Sequence, residues 1–409
     1  MTALLSWPVA GQETPRALFP AAPEAVPSEP PLAPFGPTIE VQDLPAPGAW
    51  RAGLPGAEAD LGGPLWDKGA PPNLAALFSR LPASIGEPTL AALQKALLTA
   101  PGPVDDPGNR LLAARVERLL AMGEAATATD LLVGAPEPLS ADLASLRVAA
   151  QLASGTTTPA CAAVAGQAEE SSPWPEAQMV CAALGRDGTA TELALDRLAA
   201  IGRPADASLA GLARASVADG RFVLRRPLAD QPVTLPLLRS VPIDVDPTLV
   251  RTLSVAERRA LAGNPNLAAA ARAAAAQPAP APSVRPELNG TAPADWGTAA
   301  TAIPPESRGR WAALADGLGL VVAEPIWENL AGLGPNGEAP DLTYWRGFEA
   351  ASLAEQRGTT LLFILLLLDG RPEVAAPVTL RRALDGLLAL GLEQDARALA
   401  AGTGGALGL

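Results

Sequence analysis

Residues 109–133, NRLLAARVERLLAMGEAATATDLLV, read as two helices joined at one glycine. The first runs from about Asn109 to Met122 and the second from about Glu124 to Val133. The first ends in an apolar stretch, stops at Gly123, and is followed five residues later by Ala128. The same pair recurs as Gly155/Ala160, Gly185/Ala190 and Gly391/Ala396. The flanks agree in part: Leu120-Ala121-Met122 precedes one glycine, Ala182-Ala183-Leu184 another, Ala389-Leu390 a third. A glycine ends a helix because it accepts the left-handed C-terminal conformation at no steric cost. An alanine on the returning helix adds no bulk where two helices approach most closely. The predicted unit is therefore an αα-hairpin of about 30 residues, repeated along the chain.

Working outward, helical periodicity starts at Thr89, a candidate N-cap, with Leu90, Leu93, Leu97 and Leu98 on one stripe, and stops at Pro101-Gly102. Beyond Gly202 the pattern loosens. Residues 206–219 read as helix, 225–247 as an extended, Pro-punctuated connection with a short turn of helix, and helix resumes near Thr248 and ends at the Ala run before Gln277. Helices are expected again near 306–317, 346–356, 359–368, 378–390 and 393–401. Leu361 to Leu368 is apolar on every side, so it is expected to be a buried central helix. The organisation expected is all-α: residues 1–11 as the remnant of a signal peptide, 12–88 as a Pro-rich and largely disordered arm, 89–277 as the hairpin-repeat domain, 278–303 as a Pro/Ala linker, and 304–409 as a second helical block. Within the arm, 73–81 read as a short amphipathic helix, and Leu18, Phe19, Phe35, Trp50 and Trp66 as side chains able to dock on the body.

Composition agrees and also excludes. The 409 residues carry 48% apolar but only 4% aromatic residues, so Ala and Leu dominate, and both favour helix. Net charge is −13, and no basic run exceeds Arg225-Arg226 or Arg381-Arg382, which speaks against nucleic acid and anionic lipid as partners. There is no histidine, which removes Ser-His-Asp and Cys-His nucleophilic chemistry. Two cysteines alone do not complete a tetrahedral metal site, so neither metal nor other cofactor is expected.

The Leu-Gly turn with alanine five residues on resembles the tetratricopeptide repeat, over roughly residues 107–201 and a lone copy at 384–401. That resemblance implies stacked hairpins that bind proteins or peptides. The family's bulky aromatic positions in the first helix are not evident, and the period is a few residues short. Trp174 through Cys181-Ala182-Ala183-Leu184-Gly185, and the tail from Leu390 to Leu399, also resemble a group of Ala/Pro-rich alphaproteobacterial proteins, some called "antifreeze glycopeptide polyprotein". That name reflects composition and implies no activity here.

Cys161 and Cys181 each lie ten residues from a turn centred near residue 171. In an antiparallel hairpin they stand at one height, and facing inward their Cα atoms come within roughly 4–6 Å, the range of a disulfide. Two buried free thiols are the competing reading. The opening MTALLSWPVAGQ reads as an apolar signal segment meeting small residues at its cleavage site, against a cytosolic chain with a weakly apolar tail. Both features favour a periplasmic or otherwise extracytoplasmic protein. The longest apolar run has eight residues, short of a membrane span.

Trp296, Trp311, Trp327, Tyr344, Trp345 and Phe348 gather toward the C-terminus, as core plugs or, less favoured, as a partner groove. The carboxylate pairs Asp105-Asp106 and Glu169-Glu170 fall in expected turns, and Asn289-Gly290-Thr291 has the glycosylation pattern. The expected function is a non-catalytic protein-interaction scaffold of the cell envelope. The alternatives are a carboxylate-dependent glycan-cleaving enzyme on a helical superhelix, and a purely structural envelope component.

Overall fold

Several helices begin at a side-chain cap, and several end at a left-handed residue. A computed structural model describes residues 52–103, 106–135, 137–165, 174–228, 232–276, 308–319 and 341–406, all within the unit Ala46–Leu409. The fold is an all-α array of hairpins, with one short pair of strands. After α1 (Leu74–Ser79), α2 spans Pro88–Thr99. Its N-cap is Glu87, not Thr89: the carboxylate accepts from Leu90 N, and Pro88 takes the first helical position, where a missing N–H costs nothing.

Three hairpins follow: α3 (Arg110–Ala121) with α4 (Ala125–Val133), α5 (Ala141–Ser154) with α6 (Thr157–Ala165), and α7 (Trp174–Leu184) with α8 (Gly188–Ala200), closed by α9 (Ala207–Val217). Ser140, Asp187 and Asp206 cap α5, α8 and α9 through their side-chain oxygens. The first helices stack in a row, α3 on α5, α5 on α7 and α7 on α9. Ala128, Ala149, Ala150, Ala160, Ala177 and Ala183 are buried in this region, so close approach of backbones replaces bulky side-chain filling.

The Pro-rich connection holds a short helix, as expected, and its extended end pairs with the chain just before it. Strands β1 (Phe222–Leu224) and β2 (Ile243–Val245) run parallel, with Val223 opposite Asp244. Between them lies α10 (Leu235–Ser240), and after them come α11 (Pro247–Val250), α12 (Val255–Ala262) and α13 (Ala269–Ala276). The turn Pro232–Thr234 and α10 pack on the row of first helices, α10 touching α5, α7 and α9. Buried Asn264 fixes the return of the chain by donating to the carbonyls of Leu238 and Val241 at 2.6 and 2.8 Å.

The C-terminal elements are α14 (Arg308–Gly317), α15 (Leu342–Leu353), α16 (Arg357–Leu368), α17 (Pro377–Ala389) and α18 (Glu393–Ala406). Helix α16 is the expected central helix. Residues 361–366 and Leu368 are buried, and it packs on α15, α17 and α2. Because α2 also touches α3 and α18, one helix joins the hairpin row to the C-terminal elements.

The expectation of a largely disordered arm over 12–88 is corrected for its described part, residues 52–88. Leu61, Leu65, Trp66, Leu74, Leu77, Phe78 and Leu81 belong to the core, and α1 packs on α3. Proline forbids long helices, but it does not forbid ordered coil that delivers large apolar side chains. Leu18, Phe19, Phe35 and Trp50 lie outside the described residues, as do the segments 1–11 and 278–303; Trp66 does dock.

Candidate functional site

The repeat turns share one hydrogen-bond pattern. At Gly123, Gly155 and Gly391 the backbone is left-handed, with φ of 75°, 93° and 77°. The next residue reaches back over the turn each time: Glu124 N to Leu119 O, Thr156 N to Gln151 O, Leu392 N to Leu387 O. This is the Schellman arrangement, and it satisfies carbonyls that the helix end would orphan. Five residues on, Ala128, Ala160 and Ala396 are fully buried.

The third hairpin departs from the expected register. Gly185 still bonds back to Cys181 as a helical residue, and the left-handed position is Arg186, with φ 58°. Asp187 N closes the turn on Ala182 O. The buried small residue shifts with it, from Ala190, which is only half-buried, to Thr191. Glu355 (φ 53°) repeats the motif between α15 and α16, where Thr360 is the buried residue five on. The rule of a left-handed residue followed by a small buried one therefore holds at five hairpins, but glycine marks only three of them.

Cys161 on α6 and Cys181 on α7 form a disulfide, with Cα atoms 5.5 Å apart, inside the separation expected from matched heights. The chain between them, 166–173, lies outside the described residues, and Glu169-Glu170 with it. The bridge ties two consecutive hairpins together, since α6 ends one and α7 begins the next.

Two charged groups do structural work that the sequence did not announce. Glu124, right after the Gly123 turn, pairs with Lys95 of α2 at 2.7 Å and with Arg259 of α12. Burial pushes its carboxyl upward, but the hydrogen bonds from these two cations outweigh burial and hold it below the ordinary carboxylate range. Arg115 of α3 is fully buried and donates to the backbone carbonyls of Leu98, Ala100 and Ala52, the last at 2.6 Å. Two of these carbonyls close the C-terminus of α2, the negative end of a helix. Burial brings the guanidinium down to about 9.

The remaining candidates are dispersed. Asp106 accepts from Leu111 N and Leu112 N and so caps α3, while Asp105 lies outside the described residues. Trp311 and Phe348 are buried core; Tyr344 and Trp345 are partly buried, and Trp345 donates to Glu349. Trp296, Trp327 and Asn289-Gly290-Thr291 lie outside the described residues. Among the described residues no cluster of acidic or cysteine side chains is arranged to hold a metal, and no helix is long and apolar enough to cross a membrane. No family model, curated protein or solved structure matches the chain.

Stacked helical repeats bind partners along an extended face, and one such face here is the row of first helices. Here α10 and residues 232–234 cover α5, α7 and α9 of that row, with Val233, Leu235, Leu237 and Leu238 buried beneath. Within the hairpins α3 to α8, the large apolar side chains left exposed lie on second helices, Val133 at the end of α4 and Leu193 on α8, 79% and 69% exposed; in the C-terminal elements they lie on first helices, Leu342 and Leu353 at the two ends of α15 and Val378 on α17.

Proposed function

We propose that the chain is a non-catalytic interaction scaffold of the cell envelope, built from tetratricopeptide-like hairpins and working outside the cytoplasm. The observation that carries the reading is the Cys161–Cys181 bridge between stacked hairpins. A disulfide set in a rigid array suits an oxidising compartment and a protein whose work is to hold a surface in place. Asp106, one of the carboxylates the glycan-cleaving alternative could use, is engaged as a helix cap, which weighs against that alternative. The occupied first-helix row moves the partner surface to the second helices, around Val133 and Leu193.

Photo-crosslinking in native cells tests this reading. A crosslinking side chain placed at 133 or 193 should capture one recurrent protein partner, whereas one placed at the buried position 237 should capture none. Equal background capture from all three positions, or hydrolysis of cell-wall glycan by the purified chain, would contradict it.

A further inference from the structure

A cavity of about 300 Å³ opens where three separate pieces of chain meet. Arg80 comes from the segment after α1, Asp341 and Tyr344 from the start of α15, and Asp369 and Arg371 from the turn after α16. The last residues of α16, Leu366–Leu368, with Val374, supply the apolar wall. This size sits at the small end of ligand sites, which combine apolar walls with a few fixed polar groups.

Tyr344 and Asp341 are anchored, while Arg80 and Asp369 stand exposed at the mouth. The Tyr344 ring rests against Phe363, centroids 6.4 Å apart, and its hydroxyl accepts from Arg80 Nη1 at 3.3 Å. Asp341 caps α15 by accepting from Thr343 N at 2.7 Å, so it is largely engaged. Asp369 and Arg371 approach to 3.5 Å, and Asp369 stands at the C-terminal, negative end of α16. Two arginines and two aspartates cancel, so a ligand of either net charge would leave the site unbalanced. A ligand carrying one charge of each sign beside an apolar group would not. Its carboxylate matches Arg80 and the Tyr344 hydroxyl, its ammonium matches Asp369 and the helix end, and its side chain matches the leucine wall.

We propose that this cavity binds a small apolar zwitterion of the amino-acid class, oriented between Arg80 and Asp369. The site shares no lining residue with the partner surface proposed above and does not depend on it. Isothermal titration of the full chain with L-leucine, L-leucinamide and 4-methylpentanoate tests the proposal, because the second probe lacks the carboxylate and the third the ammonium. L-leucine should bind, and each analogue should bind at least about tenfold more weakly. Arg80→Gln should weaken leucine but leave leucinamide unchanged, and Asp369→Asn should weaken leucine but leave 4-methylpentanoate unchanged. Both side chains are exposed, and an unchanged circular dichroism melt confirms that the variants fold. No binding of L-leucine to the wild type, equal binding of all three probes, or leucine binding untouched by both variants would overturn the proposal.

Discussion

At the scale of single residues, identity and conformation part company at the turns. Gly123 is left-handed, and an added Cβ there would stand 2.8 Å from the Arg259 side chain and 3.2 Å from Ala256 Cα. Gly123→Ala should therefore cost about 2 kcal/mol in denaturant unfolding. Gly185→Ala should stay within about 0.5 kcal/mol or stabilise, because its new Cβ meets only carbonyls of its own helix end. Equal losses at both sites would refute the shifted register. That shift was not legible: a glycine one residue early looks like the turn itself, and nothing in Arg186 announces a positive φ. Arg115 was hidden too, since an arginine on an amphipathic helix reads as solvent-facing. Arg115→Met should cost about 3 kcal/mol, because three buried carbonyls lose their donor, and urea unfolding measures it. Glu87 offers a pH test. Burial against α18 pushes its carboxyl upward, beyond what its hydrogen bonds to the backbone offset. A raised folded value favours the fold below the ordinary carboxylate value, and that stability is lost as pH rises through the folded one. Glu87→Gln can keep the cap without the charge. It should melt higher than wild type at pH 7, with the gap closing as pH falls toward 4.

At the scale of elements, the helices were largely legible because periodicity, caps and breakers agreed. The run at 361–368 became the buried α16, and the hairpins fell where apolar ends met turns. The short helix expected at 73–81 is α1, and Trp66 docks, but residues 52–72 were misread as loose arm because their prolines drew attention away from Leu61 and Leu65. Two substitutions weigh these readings. Leu365→Asp places an unpaired charge at a position 2% exposed, between helices on three sides, and should abolish cooperative unfolding as followed by circular dichroism. Phe78→Ala should cost about 3–4 kcal/mol, as expected of a packed aromatic and not of a side chain on a loose arm. A loss below about 1 kcal/mol at Phe78 would return residues 52–81 to the arm.

At the scale of the whole molecule, α2 couples the hairpin row to the C-terminal elements, and the chain covers its own first-helix row with α10. Neither long-range contact was legible, since periodicity reports which face is buried and not what buries it. The cysteine pairing was legible, because it follows from counting residues on either side of one turn. It also connects the fold to the compartment on which the proposed function depends. Closing this loop should add about 3 kcal/mol in the chain-entropy account, and reducing cytosol would remove that contribution. The most direct test is peptide mapping by mass spectrometry, without reduction, of protein alkylated in its native cells before lysis. The account predicts one linked peptide pair joining Cys161 to Cys181 and no alkylated cysteine; both cysteines recovered as alkylated free thiols would contradict it.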